Sequence, residues 1–279
     1  MSTNLLRDAP GPRGRRNIVI WNLGTAVLVI GGAAWVLTKL AQKGQLSAQS
    51  WSIVFDPAVL KLFGGGIVAT LAVAVCGMVI SLVFGLVLAA GRLSPRAWLR
   101  IPARVAVELF RGLPVLMLIF LIYLGLPVIG IVIPSFWALV LGISLYNGAL
   151  IAEIYRSGIL ALPRGQSEAA ESIGLRSSQV MRYVLLPQAI RSMLPALISQ
   201  LVVIVKESSL GFIVGYTELL RDGNGAVNFL GTLYILPLYV EIAAIYIIIN
   251  VLLSLLARWV EKRSRRRYGR VAQLAVEAE

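Results

Sequence analysis

The sequence predicts an all-α, polytopic membrane protein that crosses the bilayer about six times. Of its 279 residues, 58% are hydrophobic and only 14% are charged, whereas a water-soluble domain carries roughly 25% charged residues. Much of the protein surface therefore does not face water. A spanning helix needs about 20 mainly apolar residues, and six windows meet this requirement: 18–38, 67–90, 103–126, 136–155, 193–213 and 233–257.

The composition argues against several other classes of protein. The windows lack the alternation of apolar and polar residues that marks the roughly 10-residue strands of a membrane β-barrel. The chain has no histidine and one cysteine, Cys76, so we expect neither a metal site of the zinc type nor catalytic residues. The net charge is +13, but the basic residues form short clusters between apolar windows, which argues against nucleic-acid binding.

The positions of Lys and Arg predict the orientation in the membrane. Basic clusters occupy the N-terminal tail 1–17, the connection 91–102, the long connection 156–192 and the C-terminal tail 258–279. The opposite side has few cations: Lys39, Lys43, Lys61 and Arg221. Because cytoplasmic connections are enriched in Lys and Arg, we expect both termini in the cytoplasm.

The first window has two interpretations. Arg15-Arg16 followed by an apolar run resembles a secretory or twin-arginine signal, but the run 18–38 is long and no clear small-x-small cleavage site follows it. We therefore predict a retained first helix and an external connection at 39–66. Gly64-Gly65-Gly66 is interpreted as a flexible lead into the second span, because no Gly-Lys-Ser/Thr follows to form a phosphate loop. The range 67–257 then holds the other five spans.

The connection 156–192 is too long and too weakly polar for a simple linker. Residues 167–173 favour a short helix, with Glu168 in its first turn, where the helix dipole stabilises negative charge. Gly174 is suited to end this helix in the left-handed conformation. A second helical stretch follows and is expected to end near Leu186-Pro187.

The short helix presents two small residues, Ala169 and Ala170. Small side chains let another protein approach closely, so the helix has the properties of a docking element. An ordinary amphipathic helix lying on the membrane surface is the alternative. Physical reasoning alone leaves both interpretations open.

The spacing of these residues resembles a known signature. Glu168-Ala169-Ala170, Gly174 after three residues, Val184 after nine, and Leu186-Pro187 after one are similar to the loop of ATP-binding-cassette importer permeases, with Val184 in place of the usual Ile. Tyr146-Asn-Gly and the N-terminal segment from Asp8 resemble actinobacterial glutamate-importer permeases. Further stretches resemble the polar-amino-acid subfamily: Glu108-Leu-Phe-Arg-Gly-Leu-Pro-Val, Gly165-Gln-Ser-Glu-Ala-Ala, Leu186-Pro-Gln-Ala-Ile-Arg and Lys206-Glu-Ser-Ser-Leu.

This resemblance implies a type I importer permease fold in the bacterial plasma membrane, and a chain that is not an enzyme. The loop would be a coupling helix contacting a separate ATPase through Glu168, Ala169, Ala170, Gly174, Leu186 and Pro187. ATP and Mg would bind that ATPase, and this chain would bind no cofactor. The other implied partners are a second permease (this chain or a paralogue), an extracytoplasmic substrate-binding protein, membrane lipid and a polar amino acid such as glutamate. The alternative is a secondary transporter or membrane enzyme without an ATPase.

Polar residues inside the apolar windows are functional candidates, because charge is costly in the bilayer. Glu153–Arg156 and Glu108–Arg111 are predicted to be local ion pairs, since residues three apart are neighbours on a helix. Lys206 has two interpretations: it neutralises Glu207 or Glu241, or it serves the substrate. In the second case Thr70, Asn147 and Lys206 would line one polar route. Four small residues at four-residue spacing are interpreted as a helix-packing face: Gly77, Ser81, Gly85 and Ala89.

Overall fold

The computed structural model describes residues 11–276, with side chains described up to residue 259. Predictions that involve Arg7, Asp8 or the basic side chains of 262–270 lie outside this part. The described residues confirm the all-α class. The α-helices are α1 (Pro12–Gln42), α2 (Ala48–Trp51), α3 (Pro57–Leu93), α4 (Ala97–Gly112), α5 (Val115–Phe120), α6 (Ser135–Leu160), α7 (Arg164–Ser172), α8 (Ser177–Gln179), α9 (Leu186–Glu207), α10 (Leu219–Leu230) and α11 (Ile235–Val276).

Helix α1 contains the predicted first span and buries none of its residues against the described remainder of the chain. Its large apolar side chains, such as Trp21 and Leu28, are more than three-quarters exposed. Proline at the start suits this helix, because the first turn leaves its N–H groups unpaired. Retention of this helix after synthesis stays a prediction.

The second long helix begins earlier than the apolar pattern suggested. The Asp56 carboxylate accepts a hydrogen bond from the Ala58 N–H at 2.8 Å, and Pro57 occupies the first position of α3, a strong start signal. Gly64-Gly65-Gly66 therefore lies inside a helix, and the interpretation as a flexible lead is wrong. Gly66 permits close approach: a Cβ there would lie 2.7 Å from the Leu219 Cα.

The small-residue face of α3 is confirmed as architecture. Gly77, Ser81, Gly85 and Ala89 are all buried, and α3 packs on α6 along this face. A Cβ on Gly85 would lie 2.8 Å from the Gly148 carbonyl oxygen. The two helices approach closely because no side chain separates their backbones at this point.

The third predicted span, 103–126, is broken in the structure. Helix α4 ends at Gly112, Leu113 and Pro114 are extended, and α5 leaves at an angle of 104° to α4. A residue before proline is disfavoured in the helical conformation, and Pro114 has no N–H to donate. The described residues thus contain five helices long and apolar enough to span, or six if the bent pair counts as one span.

The second half of the chain differs from the prediction in two places. The helical path does not end at Leu186-Pro187: a π-helical turn at 180–185 runs directly into α9. Pro187 is tolerated there because it occupies the first turn of α9. Helix α10, between the fifth and sixth spans, was not predicted. A buried cluster that includes Val73, Ile119, Ile143 and Ile204 joins α3, α5, α6 and α9.

Candidate coupling site and membrane pathway

A left-handed turn at Gly174 ends helix α7, as predicted. Gly174 has φ +88°, a conformation that side chains with a Cβ rarely adopt. Its N–H donates to the Glu171 carbonyl at 2.9 Å, and the Leu175 N–H donates to the Ala170 carbonyl at 3.2 Å. These bonds satisfy carbonyls that the helix end leaves unpaired, so the turn fixes the direction in which the chain leaves α7.

The two alanines of the loop face opposite ways. Ala169 is exposed, whereas Ala170 is buried in the helix that packs on the 180–185 turn. The expectation that both alanines are presented outward is therefore wrong for Ala170. Because α7 begins at Arg164, Glu168 lies in the second turn rather than the first, although its side chain is exposed as a docking residue requires.

The start of α9 holds α7 in place. The Gln188 side-chain amide donates to the Gln166 side-chain oxygen at 3.1 Å, which connects the two helices. Leu186 and Pro187 are half-buried at the first turn of α9, so they position the loop rather than present a surface. Four of the exposed residues of α7 and its end are called the loop surface below: Glu168, Ala169, Glu171 and Ile173.

An ion-pair cluster lies where α6 approaches the loop. Glu153 accepts from the Arg156 Nε at 3.0 Å, which confirms the predicted pair, and it also pairs with Arg92 of α3. The Arg92 side chain is only 11% exposed and that of Glu153 is 23% exposed. The carboxylate therefore joins α3 to α6 at the end nearest α7. The predicted pair Glu108–Arg111 is also present, with both side chains over 40% exposed.

Thr70 and Asn147 are fully buried and bonded within the chain. The Thr70 hydroxyl accepts from the Leu219 N–H at 3.4 Å. The Asn147 amide donates to the Glu207 carboxylate at 2.6 Å and to the Ile143 carbonyl at 2.9 Å. In this conformation neither side chain offers a free group to a substrate, and their roles in transport stay predictions.

Lys206 is exposed on α9 and lines a cavity of about 510 Å³ between α9 and α11. Neither Glu207 nor Glu241 forms an ion pair with it in the described part of the chain, and both interpretations of Lys206 stay predictions. Thr70 and Asn147 do not line this cavity. The structure thus separates Lys206 from the two residues predicted to share its route.

Residues 81–266 match the family described as the inner membrane component of binding-protein-dependent transport systems. The chain belongs to this family. It is 40% identical over 232 residues to the glutamate transport system permease protein GluD of Corynebacterium glutamicum, a match that covers 81% of this chain and 84% of that protein. It is also 32% identical to the arginine transport system permease protein ArtQ of Bacillus subtilis, with 71% and 90% covered.

The fold of this inner membrane component also matches solved structures. An amino acid ABC transporter crystallised with histidines superposes with a TM-score of 0.70 at 35% identity, covering 73% of this chain and 94% of that one. The MetNI methionine ABC transporter in an inward-facing conformation gives a TM-score of 0.60 at 23% identity, covering 75% and 98%. The chain therefore has the fold of an importer permease.

Three features of this inner membrane component escaped sequence reasoning. Ile173 is 80% exposed beside the Gly174 turn, and its position directly before a helix-ending glycine was the available signal. Arg92 pairs with Glu153 across 61 positions, a distance that no local pattern spans. Glu218 is fully buried at the start of α10.

Glu218 joins the start of α10 to α11. Its carboxylate accepts from the N–H groups of Leu220 and Arg221 and from the Tyr246 hydroxyl, each at 2.9 Å. Burial raises the pKa of this carboxyl, whereas the three donors oppose the rise. Because Thr70 bonds to the neighbouring Leu219, this site fixes α10 between α3 and α11 and is structural.

Proposed function

We propose that this chain is the permease subunit of an ATP-driven importer for glutamate or a related polar amino acid, located in the bacterial plasma membrane. Membership of the transport family and the loop surface beside a fixed left-handed turn support this proposal. In the proposed cycle, closure of the ATPase subunits moves the loop and switches the pathway between its two sides. The chain itself performs no covalent chemistry.

The proposed partners follow from this role. The assembly would contain two ATPase subunits, one of which would dock on the loop surface of this chain; they would hold ATP and Mg, while this chain binds no cofactor. A second permease, either this chain or a paralogue, would complete the pathway, and an extracytoplasmic binding protein would deliver the substrate. The exposed charge of Glu168 and Glu171 and the exposed apolar side chain of Ile173 give the docking surface both polar and apolar contacts.

Glutamate is the proposed substrate because the relative at 40% identity is named for glutamate transport. Relatives named for glutamine and arginine are 34% and 32% identical. A dicarboxylate amino acid carries one net negative charge, and an unpaired ion in a low-dielectric core is prohibitively costly. The exposed ammonium of Lys206 beside an α9–α11 cavity supplies the compensating charge.

Purification of the tagged chain from its own membranes tests the importer proposal. An ATPase should co-purify in comparable amount, as identified by mass spectrometry. Uptake of labelled glutamate by cells with the whole system should require ATP and fall on addition of unlabelled glutamate or aspartate. Purification without any ATPase contradicts the importer proposal. Competition by arginine but not by glutamate contradicts only the acidic substrate.

The orientation is testable with single cysteines. Cys76 is the only cysteine of the chain, so Cys76→Ala provides a cysteine-free background. In that background we expect an impermeant thiol reagent added outside the cells to label Lys43→Cys but not Ser264→Cys, because basic segments remain in the cytoplasm. The side chain of Ser264 lies outside the described residues. External labelling at position 264 contradicts cytoplasmic termini.

A further inference from the structure

Helix α11 carries a polar stripe that the preceding sites do not explain. Tyr246, Asn250, Ser254 and Arg258 follow one another at four-residue spacing, which places them on one face of the helix. All four line the cavity between α9 and α11, opposite Lys206. Elsewhere in the spanning part of α11 the residues are mainly aliphatic, so this face is distinct.

The charges around the cavity have one sign. Lys206 and Arg258 are both cations, and no acidic residue is among the lining residues. The rest of the lining consists of hydroxyl, amide and aliphatic side chains. A cleft with charge of one sign and low-dielectric walls raises the local concentration of the opposite charge. The cavity therefore favours an anion.

Side chains of the stripe donate along their own helix, and the Tyr246 hydroxyl donates to Glu218. The Asn250 amide nitrogen donates to the Tyr246 carbonyl at 2.7 Å, and the Ser254 hydroxyl donates to the Asn250 carbonyl at 2.7 Å. The Asn250 side-chain oxygen is buried and has no donor within the described residues. A buried acceptor without a donor is unfavourable, so this position suits a ligand that brings an N–H group.

The stripe has a direction across the membrane. The span that contains it runs over Thr232–Trp259, so Tyr246 lies near its middle and Arg258 near its end. Twelve residues of helix separate them, about 18 Å at 1.5 Å per residue. Beyond Arg258 the chain enters the basic tail that is expected in the cytoplasm. The stripe thus joins mid-membrane to the cytoplasmic side.

We propose that the stripe is the cytoplasmic half of the route of an anionic amino acid, which rests on the proposed import of an acidic substrate. Lys206 receives a carboxylate at the Tyr246 end of the stripe, and the Asn250 oxygen accepts a hydrogen bond from the substrate ammonium group. Ser254 and Arg258 then guide the carboxylate to the exit. The phosphate of an anionic lipid shares the chemistry of the carboxylate, and the experiment below separates the two.

Charge-selective labelling tests the route. In the Cys76→Ala background, Ser254→Cys and Leu255→Cys are compared in the complete complex reconstituted in lipid nanodiscs. Leu255 is adjacent in sequence but 52% exposed and outside the cavity. Relative to Leu255→Cys, we expect Ser254→Cys to react about tenfold faster with an anionic methanethiosulfonate than with its cationic analogue. The transported amino acid should slow this reaction.

The composition of the nanodiscs separates substrate from lipid. Protection by the transported amino acid in discs of neutral phosphatidylcholine supports the route. Equal rates with the two reagents, or protection that follows phosphatidylglycerol content and not the amino acid, overturn it. If the complex transports another acidic amino acid and not glutamate, the glutamate proposal fails, while protection of position 254 by that other acid still supports the route; transport of a cationic amino acid only overturns both.

A near-isosteric substitution provides a second readout. Asn250→Asp places an acid between the two cations of the cavity, Lys206 and Arg258, and should lower the maximal rate of glutamate uptake about tenfold or more through repulsion of the substrate. Asn228→Asp is the matched control, because Asn228 is exposed on α10 and outside the cavity. Both variants should retain the ATPase on purification. Uptake by Asn250→Asp equal to that of the control overturns the inference.

Discussion

Replacement of Gly174 by valine should remove most ATP-driven uptake while the chain still reaches the membrane. Gly174 has φ +88°, and a β-branched residue in this conformation costs about 1–3 kcal/mol. The strain is relieved by changing the turn, which reorients the loop surface next to it. We expect the ATPase to be lost on purification and the uptake rate to fall in proportion.

Gly165→Val is the matched control for this prediction. Gly165 lies in the same helix α7, has no positive φ, and a Cβ there would meet no atom within 4 Å. Membrane abundance, measured by quantitative blotting, should be similar for both variants. Uptake by Gly174→Val at the level of Gly165→Val would show that the direction of this turn is not needed for docking.

Replacement of Glu153 by glutamine should lower both stability and transport. It leaves the guanidinium groups of Arg92 and Arg156 facing each other without their shared carboxylate. The expected loss lies between the roughly 1 kcal/mol of an exposed pair and the about 3–5 kcal/mol of a fully buried one. The thermal midpoint of the purified protein in detergent should fall, and uptake should fall because α3 and α6 separate beside the loop.

Glu108→Gln removes the carboxylate of the exposed pair with Arg111 and is the control for Glu153→Gln. The side chains of Glu108 and Arg111 are both more than 40% exposed. We therefore expect the free energy of unfolding to fall by no more than about 1 kcal/mol. If both variants lower the thermal midpoint equally, burial does not distinguish the two pairs and the assigned role of Glu153 is wrong.

The features that sequence reasoning predicted correctly are local. The positive φ of Gly174 follows from the end of a helix pattern, and the Glu153–Arg156 pair follows from i, i+3 spacing. The packing face that includes Gly77 and Gly85 follows from a repeat on one helix. Each of these depends on residues within a few turns, where the helical period alone sets the neighbours.

The features that it missed depend on backbone breaks or long-range contacts. An apolar window sets the length of a span but not its straightness, so the bend at Leu113-Pro114 was not predicted. Leu186-Pro187 was interpreted as a helix end because proline breaks helix interiors, whereas here it lies in a first turn. The Arg92–Glu153 pair requires the packing of α3 on α6.

The candidate pathway shows the same limit. Polarity inside an apolar window identified Thr70, Asn147 and Lys206, but it did not indicate the direction of each side chain. The structure buries the first two in internal hydrogen bonds and leaves Lys206 at a cavity. The polar stripe from Tyr246 to Arg258 is visible in the sequence as a four-residue repeat. The sequence does not indicate that this stripe faces α9 across a cavity.

The 180–185 turn continues into α9 without a break, so a rotation of the loop can be transmitted along this helix. The helix runs from the first turn beside the loop at Leu186 to Lys206, about 30 Å at 1.5 Å per residue. A tilt of about 5° at the loop end would carry the Lys206 Cα by about 2.6 Å over this length, roughly the reach of a hydrogen bond. Pro195 removes one backbone bond within α9, so the full displacement requires that the helix stay straight at this position. A small rotation at the loop end of α9 can thus become a change of binding partner at Lys206.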